Sequence, residues 1–461
     1  MTNTRKEKDA LGELEVPADV YWGINTERAI RNFKISEREM PEEFIIALAE
    51  VKKACLLANI DSGDIDENLG KAILKAIDEI LINNLHLDQF PVDIYQTGSG
   101  TQSNMNFNEV IANRANELLG HPLGQKKPVH PNDHVNMGQS SNDVIPTAMH
   151  VAALTALTNT LMPAVGNLMK SLDEKIKEFD GIVKVGRTHL QDAVPIPLSM
   201  EFNVYRSQVI SSFNELQGTR DDLILLPIGG TALGTGLNAS KGFSERVIKH
   251  LTKIAQFPFE VNPVLAEGIA SHRAMVKLSG VLRLLALSCL KIANDIRWMA
   301  SGPRAGLGEL LLPENEPGSS IMPGKINPTQ AESLIQVAIQ VIGLDSAITL
   351  SEGYGSVLDL NVTKPLIISN ILESIKILSN GISSFVRKCL VGIKPNLPII
   401  QQHLDRSLMV VTRLSPVVGY DKAGVIARKA LESGKTIRET IEDLGLDIDN
   451  LDELLDPSKM V

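Results

Sequence analysis

Apolar residues recur along this chain at the period of long helices. Met275, Leu278, Leu282, Leu285, Cys289, Ile292, Ile296 and Met299 are spaced 3-4-3-4-3-4-3. That is the seam of a helix packed nearly parallel to its neighbours, and residues 275–299 would run roughly 36–38 Å at about 1.5 Å each. Leu154, Leu157, Leu161, Val165 and Leu168 form a second stripe, spaced 3-4-4-3. Residues 333–344 carry no charge and are apolar on most faces, the pattern of a helix surrounded by others. Residues 198–224 and 364–391 are two further long helical candidates. Strand-like alternation is scarce. The pattern predicts an all-α fold with a long central five-helix bundle between about residues 145 and 393.

Shorter elements precede the bundle, with Pro, Gly and Asn punctuation around residues 88–104 and 120–142. Lys394-Pro395-Asn396-Leu397-Pro398 breaks the pattern after it. Three mostly helical domains are therefore expected, at 1–139, 140–393 and 394–461. Residues 144–169 lack Asp, Glu, Lys and Arg, so a membrane span must be weighed. Their Thr147, His150, Thr155, Thr158, Asn159, Thr160 and Asn167 fit a buried bundle helix instead. The first residues mix acids with bases and show no apolar run, so neither a secretory signal nor a transit peptide fits and a cytoplasmic location is expected.

Composition changes the picture only a little. The chain is 43% hydrophobic, 22% charged and only 4% aromatic, so the core must be aliphatic. Its 45 basic and 55 acidic residues give a net charge of −10, and no basic run with interleaved aromatics marks a nucleic-acid surface. Cys55, Cys289 and Cys389 are too few and too scattered for a disulfide framework or a cysteine zinc site.

Four polar segments abut long apolar helices. Thr97-Gly98-Ser99-Gly100-Thr101-Gln102-Ser103-Asn104 leads into one, and reads either as a simple cap or as an anion site at a helix N-terminus. Residues 130–143 include His130 and His134, a chelating spacing on a helix, but Pro131 and Asn132 oppose regular helix there, and no metal is expected. Gly186-Arg187-Thr188-His189 reads either as a turn with a satisfied histidine or as a functional one. Gly318-Ser319-Ser320-Ile321-Met322-Pro323-Gly324-Lys325-Ile326-Asn327-Pro328 is a glycine-bounded loop able to close over a ligand. A helix is expected to follow it, with Asn327 as N-cap and Pro328 at its first position. No Gly-x-Gly-x-x-Gly or Gly-x4-Gly-Lys-Ser/Thr loop occurs, so neither hydride nor phosphoryl chemistry is indicated and no cofactor is expected.

These segments resemble the aspartase/fumarase superfamily, and within it the class II fumarases. The match runs from Glu15-Val16-Pro17-Ala18-Asp19 to Gly419-Tyr420-Asp421-Lys422-Ala423, and the 318–328 loop fits the superfamily signature. His130-Pro131-Asn132-Asp133, Leu312-Pro313-Glu314-Asn315-Glu316-Pro317 and Thr329-Gln330 favour fumarase over aspartase. The resemblance implies reversible anti addition of water to fumarate, giving (S)-malate, in the tricarboxylic acid cycle. It also implies a homotetramer with a 20-helix core, whose active sites each draw on three subunits. Fumarate and (S)-malate are the expected small-molecule partners, with neither nucleic acid nor membrane.

By the same resemblance, Ser319 takes the C3 proton of malate and His189, through a water, serves the departing hydroxide, with Glu332 orienting it. Lys325 and Asn327 hold the charge that develops on the neighbouring carboxylate. A serine hydroxyl is a poor base at pH 7, so this role requires positive charge and backbone N–H groups around Ser319. Ser99, Gly100, Thr101, Ser140, Ser141, Asn142, Thr188, Ser320 and Ile326 join Lys325 and Asn327 in binding the substrate. Lys127, His130, Pro131, Asn132 and Asp133 match a second, peripheral anion site. Lys127 stands where the family commonly has Arg, which keeps the charge but loses the bidentate fork. The alternatives are an aspartate ammonia-lyase and, more remotely, an inactive structural member of the superfamily.

Overall fold

The computed structural model describes residues 3–461; Met1 and Thr2, where the stretch read above for targeting begins, lie outside the described residues. Five long helices carry the fold: Ser141–Glu178, Leu198–Leu223, Arg273–Met299, Thr329–Gly355 and Lys364–Lys388. They match the five helices the apolar pattern predicts. Every residue of the heptad is buried, none more than 5% exposed. The second stripe is buried throughout as well. It runs through a wide π-type turn, Leu157–Leu161, which takes up the longer 4-4 step in its spacing and precedes Pro163, a residue with no N–H for the helix ladder.

By packing, the described residues form two units. One holds residues up to 163, 214–284 and 340–378; the other holds 164–213, 285–339 and 379–461. Each boundary falls inside one of the five long helices. In the first unit, Ser279 Oγ and Arg283 Nη1 both donate to Asp345, each at 2.6 Å, tying Arg273–Met299 to Thr329–Gly355. In the second, Ser384 Oγ donates to Gln330 Oε1 at 2.8 Å, tying Lys364–Lys388 to Thr329–Gly355. A separate apolar cluster of the second unit gathers Val410, Val411, Leu414, Ala423, Ile426, Ala430, Ile437 and Ile441.

Among the described residues, two helices are long and apolar enough to cross a membrane by length and composition, Ser141–Glu178 and Thr329–Gly355. The first is 72% buried over its apolar window, as a bundle helix should be, whereas the second is only 33% buried. Its Ile339 and Leu350 are more than half exposed. The expectation that this helix is surrounded is therefore not met within a single chain. Cys55, Cys289 and Cys389 are free and buried.

Strands are short and pair in twos. β1 (Thr4–Asp9) pairs antiparallel with β2 (Gly12–Pro17), and β3 (Val183–Thr188) with β4 (Gln191–Pro197). The second hairpin is the one element of consequence that the helical reading passed over. Its Val-Lys-Val-Gly run alternates over only a few residues, and its Ala-Val-Pro-Ile run is apolar throughout and broken by proline, so neither stands out as a strand beside the helices.

Candidate active site

In the first unit, two of the four polar segments meet. Ser99 Oγ lies 2.7 Å from Thr101 Oγ1, which lies 2.9 Å from Ser141 Oγ. The helix Thr101–Leu118 starts behind Gly100, held at φ 77°. Ser141–Ala156 starts behind Ser140, whose side chain forms a capping box with Asp143. Two helix N-termini and three hydroxyls thus converge, an arrangement of donors and positive dipole ends suited to a carboxylate. Behind Ser99, the Gly98 carbonyl accepts the Lys364 N–H at 2.9 Å. A Cβ at Gly98 would overlap the Val362 carbonyl, so only glycine lets these backbones approach.

Sequence reasoning missed the loop that closes this corner. Asp143 is fully buried. It accepts the Ser140 N–H on Oδ1 at 2.8 Å, and those of Gly229 and Thr231 on Oδ2 at 3.0 and 2.8 Å. Asn142 Nδ2 donates to the Ala232 carbonyl at 2.9 Å. Gly229, Thr231, Gly234 and Gly236 all take positive φ. The available signal was Gly229-Gly230-Thr231-Ala232-Leu233-Gly234-Thr235-Gly236, with four glycines between two helices. Burial pushes the Asp143 carboxyl up to about 7, against the lowering by those N–H groups and by Lys52. Lys52 is buried too, bonded to Asn108 and Asn136 at 2.7 and 2.9 Å, and burial pulls it down to about 7.

The other two segments belong to the second unit. Thr188 and His189 sit at the tip of the β3–β4 hairpin, where His189 and Leu190 both take positive φ, 57° and 59°. A two-residue turn with both φ positive matches strand twist, yet each non-glycine residue there costs roughly 1–2 kcal/mol. The imidazole is exposed. No hydrogen bond joins it to Glu332 within the chain, so that expected pairing is not made there.

The 318–328 loop is pinned at its ends. Gly318 N donates to the Lys325 carbonyl at 2.8 Å, and Asn327 Nδ2 donates to the Gly318 carbonyl at 2.5 Å. Ser319 Oγ accepts the Ile321 and Met322 N–H groups at 3.2 and 3.0 Å. A cavity of about 440 Å³ opens against the loop, with Ser319 and Lys325 in its lining. Ser320, Lys325 and Ile326 are exposed. One expectation is corrected here: the helix begins at Thr329, and the Asn327 side chain closes the loop instead of capping the helix. Asn327 lies two residues before Thr329, so Pro328 and not Asn327 stands at the helix edge.

Residues 130–135 form a π-type turn, Pro131–Val135, capped by His130. His130 Nδ1 accepts the Asn132 and Asp133 N–H groups, both at 3.2 Å, and His134 Nδ1 accepts the His130 N–H at 2.9 Å. Both Nδ1 atoms are thus committed to backbone. Lys127, Asn132 and Asp133 are exposed beside them, and Pro131 is buried.

Comparison with known proteins bears directly on these segments. A lyase family model matches residues 12–343, and a fumarase C C-terminus model matches 410–461. A class II fumarate hydratase of Thermosynechococcus vestitus is 52% identical over 446 residues, covering 96% of this chain and 95% of its own. The chain belongs to the class II fumarase family. A mitochondrial fumarate hydratase of Rhizopus oryzae is 49% identical, covering 99% of this chain and 92% of its own. The crystal structure of a class II fumarase from Schistosoma mansoni superposes with a TM-score of 0.96 at 38% identity, over 99% of both chains. The mostly helical architecture is thus that of the fumarase fold.

Proposed function

We propose that the protein catalyses the reversible anti hydration of fumarate to (S)-malate through an aci-carboxylate carbanion, the hydro-lyase step of the tricarboxylic acid cycle. One observation carries the chemistry: Ser319 Oγ accepts two backbone N–H groups on a loop that also presents Lys325. Such donors favour the alkoxide form and make serine usable as a base. They answer the difficulty that an ordinary hydroxyl raises at pH 7.

In this reading Ser319 removes the C3 proton from malate. Lys325 and Asn327 then face the charge spreading onto the adjacent carboxylate, each good donor contributing roughly 2.7–4 kcal/mol in the transition state. His189, through a water, gives a proton to the departing hydroxide, the work of an imidazole acting as general acid. Glu332 orients His189. Ser99, Gly100, Thr101, Ser140, Ser141 and Asn142 hold one carboxylate, and Thr188, Ser320 and Ile326 complete the substrate contacts. Lys127, His130, Pro131, Asn132 and Asp133 form a peripheral anion site.

The proposal includes assembly as a homotetramer with a 20-helix core, so that copies of the chain supply one another's sites. The exposed Ile339 and Leu350 on an otherwise apolar helix support it, since such a face seeks a partner. It also includes the domain limits 1–139, 140–393 and 394–461, and action in the cytoplasm. Hydration of fumarate in D2O tests the reaction: proton NMR of the malate should show one deuterium at C3 in the anti configuration. Deuterium distributed over both C3 positions would refute the stereochemistry.

A further inference from the structure

Lys184 and Arg187 stand three apart on β3. In a regular strand that spacing sends two side chains to opposite faces. Here both reach one carboxylate. The register of β3 against β4 shifts between Val185 and Arg187, a bulge centred on Gly186, and the extra residue turns both cations to the same side. Glycine is required at the bulge, because a Cβ would lie 2.5 Å from the Val194 carbonyl oxygen.

Glu309 occupies the point of convergence and is 0% exposed. Arg187 Nη1 donates to its Oε1 at 2.7 Å. Lys184 Nζ, itself buried, lies 3.2 Å from Oε2 and donates to Glu201 Oε1 at 3.0 Å. His403 Nδ1 stands 3.4 Å from Oε1. An ionised carboxylate this deep is tolerable only while its cations hold their places, so the cluster fixes the base of the hairpin. The strained His189-Leu190 turn begins two residues beyond Arg187.

We propose that Glu309 is a positioning residue for His189: by gripping Arg187 and Lys184 across the Gly186 bulge, it sets where the imidazole stands. The inference rests on the reading of His189 as the proton relay. A misplacement of about 1 Å at a reacting group can cost 10²-fold in rate, and the bulge and cluster are what hold this turn.

The test is a double-mutant cycle in the full-length protein, with kcat and KM for fumarate measured at each corner. Glu309→Gln should lower kcat about 10²-fold with KM nearly unchanged. Added to His189→Asn, it should cost nothing further, because both changes disable one group. Arg187→Lys is the second variant, should Glu309→Gln fail to fold. It keeps the charge, loses the fork, and should give a smaller kcat loss that also vanishes in the His189→Asn background. If His189→Asn is slow but these changes have no effect, or multiply with it, the inference falls alone. If His189→Asn turns over at the original rate, the relay reading falls and takes the inference with it.

Discussion

The carboxylate of Asp143 accepts the backbone N–H of Thr231 at 2.8 Å, 88 residues away along the chain. The same oxygen accepts the N–H of Gly229, and the other oxygen that of Ser140. One buried side chain therefore joins the start of the helix Ser141–Ala156 to a glycine-rich loop. Asparagine at this position keeps one acceptor oxygen but turns an NH2 group towards backbone N–H donors. Losing a hydrogen bond to a charged group costs about 1.5–3 kcal/mol. Asp143→Asn should accordingly raise KM for fumarate about 10- to 100-fold and speed amide hydrogen exchange at Gly229 and Thr231. Unchanged KM and exchange would show that the loop holds itself.

Ser319→Ala should lower kcat by about 10²–10⁴-fold, the usual contribution of a general base, with little change in KM. The role assigned to Ser319 is confined to the transition state. Steady-state kinetics in both directions check it, and turnover near the original rate would remove Ser319 as the base.

Lys127 is exposed and remote in sequence from the Ser319 loop. Lys127→Arg keeps the positive charge and should change kcat by no more than about twofold, as for a surface substitution. A large change in turnover would couple the peripheral site to catalysis.

Glu50 supplies a pH test of stability. Burial alone pushes its carboxyl from 4.5 up to about 7. The folded value lies above the unfolded one, so its contribution is fully present below pH 4.5 and is lost as pH rises through 7. Glu50→Gln should therefore be more stable than the parent at pH 8, by about 2–3 kcal/mol, and nearly equal to it at pH 4.5. Urea unfolding at the two pH values measures the difference; equal stability at pH 8 would mean that Glu50 is paired in solution.

The helices were legible because their burial repeats. A heptad such as residues 275–299 states its period in every turn, and all eight of its residues are buried. The Ser319 loop stands out in the sequence because two serines and a lysine occur together in a glycine-bounded run interrupted by proline. Asp143 and Glu309 were not legible. Each looks like an ordinary acid in sequence, and its role appears only when residues 86 to 125 positions away fold against it. The Gly186 bulge was hidden for a similar reason: one glycine in a short strand carries no periodic signal. The Asn327 cap is not formed because the helix starts two residues later, at Thr329, while the Asn327 amide donates to the Gly318 carbonyl across the loop.

The most direct test of the central claim is the ultraviolet absorbance of purified protein given (S)-malate and L-aspartate separately, with no cofactor or metal added. The account predicts that fumarate appears from malate alone. Fumarate from aspartate alone would make the protein an ammonia-lyase, and silence with both from folded, assembled protein would contradict the assignment of this site as a working fumarate hydratase.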